Sequence, residues 1–244
     1  MPAKQIALLE QVAAANQNVV VVLSNGSVVS VAPWAKNAKG ILESCLLGQA
    51  GGPALADVIF GQVSPSGKLA QSIPLDISDD PSTLNWPGEE GHVDYGEGVF
   101  VGYRYYDTYG KVVDYPFGYG LSYTSFDWKV TDASANGATL TKDGDVTVKV
   151  TVTNTGDRAG KDVVQLYYTA PYIAGEIEKS SVELGAFAKT KELQPGESEE
   201  VALTVPVSDM ASYDAYDANH NGFTGYELDA GDYIFTVRHD AHDV

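Results

Sequence analysis

The sequence predicts α/β structure followed by an all-β region: a partial α/β sandwich on a mostly parallel sheet with helices, then a β-sandwich of immunoglobulin or fibronectin III type. Three observations predict this. A helix-period segment, PAKQIALLEQVAAAN, leads into NVVVVLSNG, a continuous β-branched run of the kind that fits a strand buried on both faces. Much later, DVTVKVTVTNTG alternates Val146, Val148, Val150 and Val152 with threonine and lysine, giving one apolar and one wet face. From Phe126 onward, turn residues separate about seven such runs. The character changes near residue 85, so we expect an α/β region at 1–85, an aromatic and glycine-rich linker at 86–125, and the sandwich at 126–244.

Each element has a local reason. In the first segment Ile6, Leu9, Val12 and Ala13 recur three or four apart, and Pro2 suits a first helical turn. GILESCLLG is a short apolar run bracketed by glycines, read as a strand. GGPALADVIFG places Leu55, Val58 and Ile59 on one helical face, with Gly61 positioned to end the helix. SPSGKLAQSIPLD turns at Pro65 to Gly67 and continues extended. These strands are too few for a complete doubly wound sheet, so further strands are expected upstream or from another chain. In the second half KDVVQLYYTAP, SVELGAFAKT, ESEEVALTVPV and GDYIFTVRHD read as strands between Gly156, Gly160, Pro195-Gly196 and Gly231.

With 33 acidic against 15 basic side chains in 244 residues, the formal charge is −18, and nucleic acid would be repelled. A neutral ligand suits such a surface. Cys45 is the only cysteine, so no intrachain disulfide or thiolate metal site is available; its apolar neighbours predict a buried, inert thiol. There is no membrane-length apolar run and no export signal, which slightly favours a cytoplasmic location. Asn25-Gly-Ser is a formal glycosylation sequon, better read as a strand-ending turn.

Four motifs then stand in a familiar order: GQAGGPALADVIFG, PSGKLAQSIP, YGEGVFVGYRYYD and PFGYGLSYTSF. The chain resembles glycoside hydrolase family 3, the β-glucosidase type: the end of its α/β sandwich domain followed, from Phe126, by its fibronectin type III-like domain, with LQPGESEEVALTV and AGDYIFTV. The resemblance implies a cofactor-free retaining glycosidase that removes a terminal β-linked glucose or related sugar. That chemistry needs two carboxyl groups about 5 to 5.5 Å apart, one as nucleophile and one as acid/base. In this family the nucleophilic aspartate comes from a TIM-like barrel and the glutamate acid/base from earlier in the α/β domain, before a stretch ending Leu-Pro-x-x-Gln. Met1-Pro2-Ala3-Lys4-Gln5 matches the end of that stretch with Met for Leu, so both catalytic groups are expected outside these residues, and none is assigned within them.

Within the chain a few residues stand as candidates for that role or for the edge of the sugar site. Glu89 and Glu90 are adjacent, and neighbours on an extended segment point to opposite faces, so they make a poor acid/base pair. Glu97, between Gly96 and Gly98, is read first as making a salt bridge or backbone hydrogen bond in the linker, and second as a residue that borders the sugar site or orients a neighbouring domain. Tyr103, Tyr105 and Tyr106 are expected to alternate between faces of an extended belt, with Arg104 paired to Glu97 or a linker carbonyl. Trp86, before Pro87-Gly88, is the tryptophan expected to be exposed for sugar stacking or docking, whereas Trp34 and Trp128 read as packing residues. Asp217, Asn219 and Asn221 begin like a calcium loop, but Leu228 stands where glutamate is required, so a polar turn is expected. His239 and His242 read as an exposed polar tail rather than a metal pair; His92 and His220 join no Ser-His-Asp arrangement. No phosphate-loop motif is present. The expected partners are a carbohydrate substrate, a TIM-like barrel domain or chain, and a second copy through apolar surface left open. The alternatives are a stand-alone carbohydrate-binding or adaptor module, and one subunit of a split glycosidase.

Overall fold

The computed structural model describes residues 1–243. Helix α1 (Ala3–Ala15) starts after Pro2, whose fixed φ of −60° precedes the helix as its cap. Ile6 and Leu9 pack inward against Leu23, Val31, Trp34 and Ile73, the core of the first half. Strand β1 (Val20–Leu23) pairs in parallel with β2 (Gly40–Glu43), from Val20 opposite Gly40 to Leu23 opposite Glu43. Helix α2 (Gly51–Ile59) ends where Gly61 takes φ 72°, its N–H bonding Val58 O at 3.0 Å.

Among the described residues only β1 and β2 run parallel and every other strand pair is antiparallel, so the expected mostly parallel sheet is corrected to one parallel pair. Leu8, Val12, Val20 and Val22 lie exposed on α1 and β1. Cys45, expected to be buried, is exposed beyond the end of β2, with φ 48° and its N–H on Glu43 Oε1. The run ends as a strand at Glu43, which puts the cysteine in the turn.

Short strands β3 (Ile73–Pro74) and β4 (Val113–Tyr115) pair across helix α3 (Tyr103–Thr108). The sandwich follows. One sheet orders β5 (Phe126–Ala133), β6 (Asp145–Asn154) and β9 (Ser198–Pro206); the other places β7 (Val163–Thr169) between β8 (Glu183–Lys189) and β12 (Ile234–Arg238). A hairpin, β10 (Ser212–Asp214) with β11 (Gly225–Glu227), completes it. The valines of β6 face inward as their alternation predicts, against Val164, Leu166, Leu193, Leu203 and Val205. Because β7 is central and covered on both faces, Val164 to Tyr168 are all buried. No helix of the described residues is long and apolar enough to cross a membrane.

Candidate functional site

The chemistry-bearing side chains of the linker gather where the α/β part meets the sandwich. The segment Pro116 to Gly120 runs between the two. Gly118 N–H bonds Leu69 O, Tyr119 O accepts from Leu69 N, and Phe117 N–H reaches Ser72 Oγ at 3.2 Å. From the sandwich, Gln165 Nε2 donates to Gly118 O at 3.0 Å and His239 O at 2.7 Å, while its Oε1 accepts from Tyr167. Gly118 has φ 86°, and a Cβ there would lie 2.1 Å from Gln165 Oε1, so this approach needs glycine on two counts.

Nearby, Lys68 Nζ pairs with Asp162 Oδ1 at 3.2 Å and donates to Gly120 O at 2.8 Å. Asp162 is buried on the sandwich and its other oxygen accepts from the indole of Trp128 at 2.9 Å. A buried carboxylate is tolerable here because both oxygens are partnered. Ser64 Oγ lies 2.8 Å from Ser122 Oγ, and Tyr123 O–H donates to Val58 O at the end of α2.

Helix α3 carries the tyrosines. The segment is helical over Tyr103–Thr108, so the expected extended belt is corrected: Gly102, at φ 56°, turns the chain, and tyrosines at 103 and 106 come to lie one turn apart. Tyr106 is buried, and burial followed by the charges of Asp80 and Asp79 pushes its phenol up to about 12. The Tyr103 ring stacks on Phe117 at 4.7 Å and meets Tyr167 edge-on, and its oxygen accepts from Leu184 N–H at 2.9 Å. Arg104 Nη2 pairs with Glu183 Oε2 on β8 at 3.0 Å, which corrects its expected partner Glu97. Thr108 Oγ1 accepts from Ser181 N–H. Desolvation also raises the phenols of Tyr103, Tyr167 and Tyr168, so they stay protonated and serve as packing and hydrogen-bonding groups, not bases.

The C-terminal tail is partly docked: His239 is exposed as expected, whereas Ala241 is buried and His242 half-buried, which corrects the fully exposed tail. His239 lies over Trp128 with ring centroids 3.9 Å apart, and Ala241 is buried with its N–H on Phe117 O. His242 Nδ1 lies 2.8 Å from Asp107 Oδ1 of α3, and its other nitrogen lies 3.2 Å from Lys111 O. Close contact with Asp107 raises the imidazole pKa, and partial burial opposes this.

The remaining candidates stay apart from this junction. Trp86, Glu89 and Glu90 are exposed in the loop before α3, and Glu97 Oε2 is buried there without a hydrogen-bond partner among the described residues. Asp217 Oδ1 caps Gly222 N–H, and both Asn219 and Asn221 donate to Glu227, which makes a polar turn. Among the described residues no group of three or more His, Cys, Asp or Glu is placed to hold a metal. A cleft of about 230 Å³ beside Gly61, Tyr123 and Arg158 is below the roughly 300 Å³ at which ligand pockets usually begin.

Sequence reasoning missed Gln165, Asp162 and Asn154. All three are buried polar residues on or beside strands. Asn154 uses its whole amide, accepting from Thr124 Oγ1 and Gly156 N–H and donating to Arg158 O and Leu193 O. The only signal was a polar residue at an inward position of an apolar run. Trp34, by contrast, is fully buried as its apolar setting predicts.

Comparisons with known proteins agree along the chain. A family profile described as "Glycosyl hydrolase family 3 C-terminal domain" matches residues 1–123, and "Fibronectin type III-like domain" matches residues 162–241. The chain is 60% identical over its whole length to an exo-alpha-(1->6)-L-arabinopyranosidase of Bifidobacterium longum, covering 30% of that protein. It is 41% identical to the thermostable beta-glucosidase B of Acetivibrio thermocellus, covering 31% of it. Its fold superposes on the crystal structure of a Bifidobacterium adolescentis GH3 beta-glucosidase with TM-score 0.88 at 55% identity, over 99% of this chain and 34% of that one. For a Paenibacillus barengoltzii beta-glucosidase the TM-score is 0.90 at 40% identity, over 100% and 26%. The chain therefore spans about a third or less of the proteins it matches.

Proposed function

The chain belongs to glycoside hydrolase family 3, as a C-terminal part of such an enzyme, and from that premise we propose that it completes and braces the catalytic unit of a retaining β-glucosidase. The observation that carries the reading is the junction. Gln165 of the sandwich holds Gly118, and buried Asp162 holds Lys68, which in turn donates to Gly120 O, while α3 of the linker is fastened to β8 through Arg104 with Glu183 and Tyr103 with Leu184. Such contacts fix an orientation more than they drive association. Retaining hydrolysis places a nucleophile and an acid/base about 5 to 5.5 Å apart, and positional errors of about 1 Å are costly, so a rigid brace has a direct catalytic value. The nucleophile and acid/base belong to the part outside residues 1–244, where a TIM-like barrel would bind the sugar. The open apolar side of α1 and β1 supports further α/β structure packing there.

A second substrate reading has its own support, since a relative at 60% identity is named for an α-L-arabinopyranoside. An α-L-arabinopyranoside has the anomeric geometry of a β-D-galactoside and lacks its hydroxymethyl group, so the same two-carboxylate chemistry serves both readings. Aryl β-D-glucoside and aryl α-L-arabinopyranoside, offered to the complete enzyme, separate them by their kcat/KM ratio. Hydrolysis of neither by the complete enzyme would overturn the glycosidase reading.

A further inference from the structure

We propose that the loop from Asp76 to Val101 is a docking surface covered by the part of the same enzyme outside residues 1–244, through a face that sets lysine or arginine among apolar side chains. The inference rests on the reading of the chain as a portion of a longer hydrolase, and three observations build it. First, the loop holds large apolar groups in water: Leu84 is 93% exposed, Trp86 77% and Tyr95 82%, with Val93, Val99 and Val101 also exposed. Several large apolar side chains exposed along one loop are the mark of an interface. Second, its charge has one sign. Seven carboxylates lie between Asp76 and Glu97 with no lysine or arginine among them, and none is ion-paired among the described residues. Third, Glu97 Oε2 is buried and lacks a donor. A buried carboxylate oxygen left in this state is costly, and a docking cation or N–H group would relieve it through a small shift of the loop that brings the two into reach.

The occupant follows from charge and length. A second copy of this chain carries −18 and would bring more negative charge to an already acidic loop. The relatives have about 70% of their length outside the matched region, so there is ample chain to cover the loop. The loop also has a firm base: it leads directly into α3, which Tyr103, Arg104, Asp107 and Thr108 fasten to the sandwich. A surface docked on Trp86 and Glu97 would thus be positioned relative to the whole C-terminal part.

Hydroxyl-radical footprinting of the complete enzyme tests this, with Tyr216 of the sandwich, 91% exposed, as internal reference. Residues at the centre of an interface are almost fully buried, so Trp86 and Tyr95 should oxidise about tenfold more slowly than their exposure in this chain predicts. Charge reversal by Glu97→Lys with Glu90→Lys should restore much of their reactivity. Reactive rings in the unaltered enzyme would overturn the proposal, and protection that survives charge reversal would overturn its cationic occupant. Protection that disappears on dilution would assign the surface to a second copy instead, which also overturns it. A complete enzyme that hydrolyses aryl glycosides while Trp86 and Tyr95 remain reactive refutes this inference alone and leaves the proposed function standing.

Discussion

Replacing Gly118 by alanine tests whether the junction is held by the close approach described above. Alanine at φ 86° costs about 1 to 2 kcal/mol in backbone strain. Its Cβ would sit 2.1 Å from Gln165 Oε1 and 3.0 Å from Nε2, so the amide must withdraw. Withdrawal is not free, because Gln165 is buried and its head makes three bonds, to Gly118 O, His239 O and Tyr167. Losing two of them, at about 1 kcal/mol each, brings the total to about 3 to 4 kcal/mol. At about 2 to 4 °C per kcal/mol for a chain of this size, Tm should fall by about 6 to 16 °C. Thermal unfolding measures this, and Gln165→Ala supplies the control. In that background Gly118→Ala should cost little beyond the strain of about 1 to 2 kcal/mol, so the two changes combine by less than their sum. A Gly118→Ala chain within about 1 kcal/mol of the parent, or a strictly additive double variant, would refute the reasoning.

Asn154→Ala should destabilise by about 2 to 4 kcal/mol, since four bonds of a buried amide are lost, and urea unfolding should show it as a lower midpoint with unchanged slope. Arg104→Ala should cost about 1 kcal/mol or less globally, because its pair with Glu183 is partly exposed. Its clearer effect is faster amide hydrogen exchange over residues 103–108. His242 has its pKa raised in the folded state, so its contact with Asp107 contributes stability fully below the unfolded value near 6.5 and loses it as pH rises through the folded pKa. Melting curves from pH 5 to 8 should therefore show a fall in Tm that His242→Ala reduces; identical pH profiles for the two chains would count against the contact.

Much of the fold is legible in the sequence because it rests on periodicity. The valines of β6 name an inward face, and so do Ile6 and Leu9 of α1, although Val12 in the same spacing is exposed; Gly61 marks the end of α2. The linker was not legible in the same way. Tyrosines favour strands, and YGEGVFVGYRYYD looks extended until Gly102 turns it into α3. Arg104 then meets Glu183, 79 residues away, a partner that no local pattern could indicate. The same holds for Cys45, whose apolar neighbours suggested burial although the strand stops two residues earlier. The single parallel pair misled in another way, since a β-branched run does not state how many neighbours it has. Trp86 and Glu97, in the loop apart from the junction, are visible in the sequence as a loop aromatic and a glycine-flanked acid, whereas Gln165 and Asp162 of the junction gain their roles only from tertiary approach.

In the proposed function these residues brace catalytic carboxylates held elsewhere. Release of nitrophenol from an aryl β-glucoside by the purified 244-residue chain tests it most directly. Loss of essential groups in such constellations costs orders of magnitude in rate, so no release above the spontaneous reaction is expected. Turnover by the chain, abolished by Glu97→Gln or Glu90→Gln, would contradict it and place a catalytic pair within these residues.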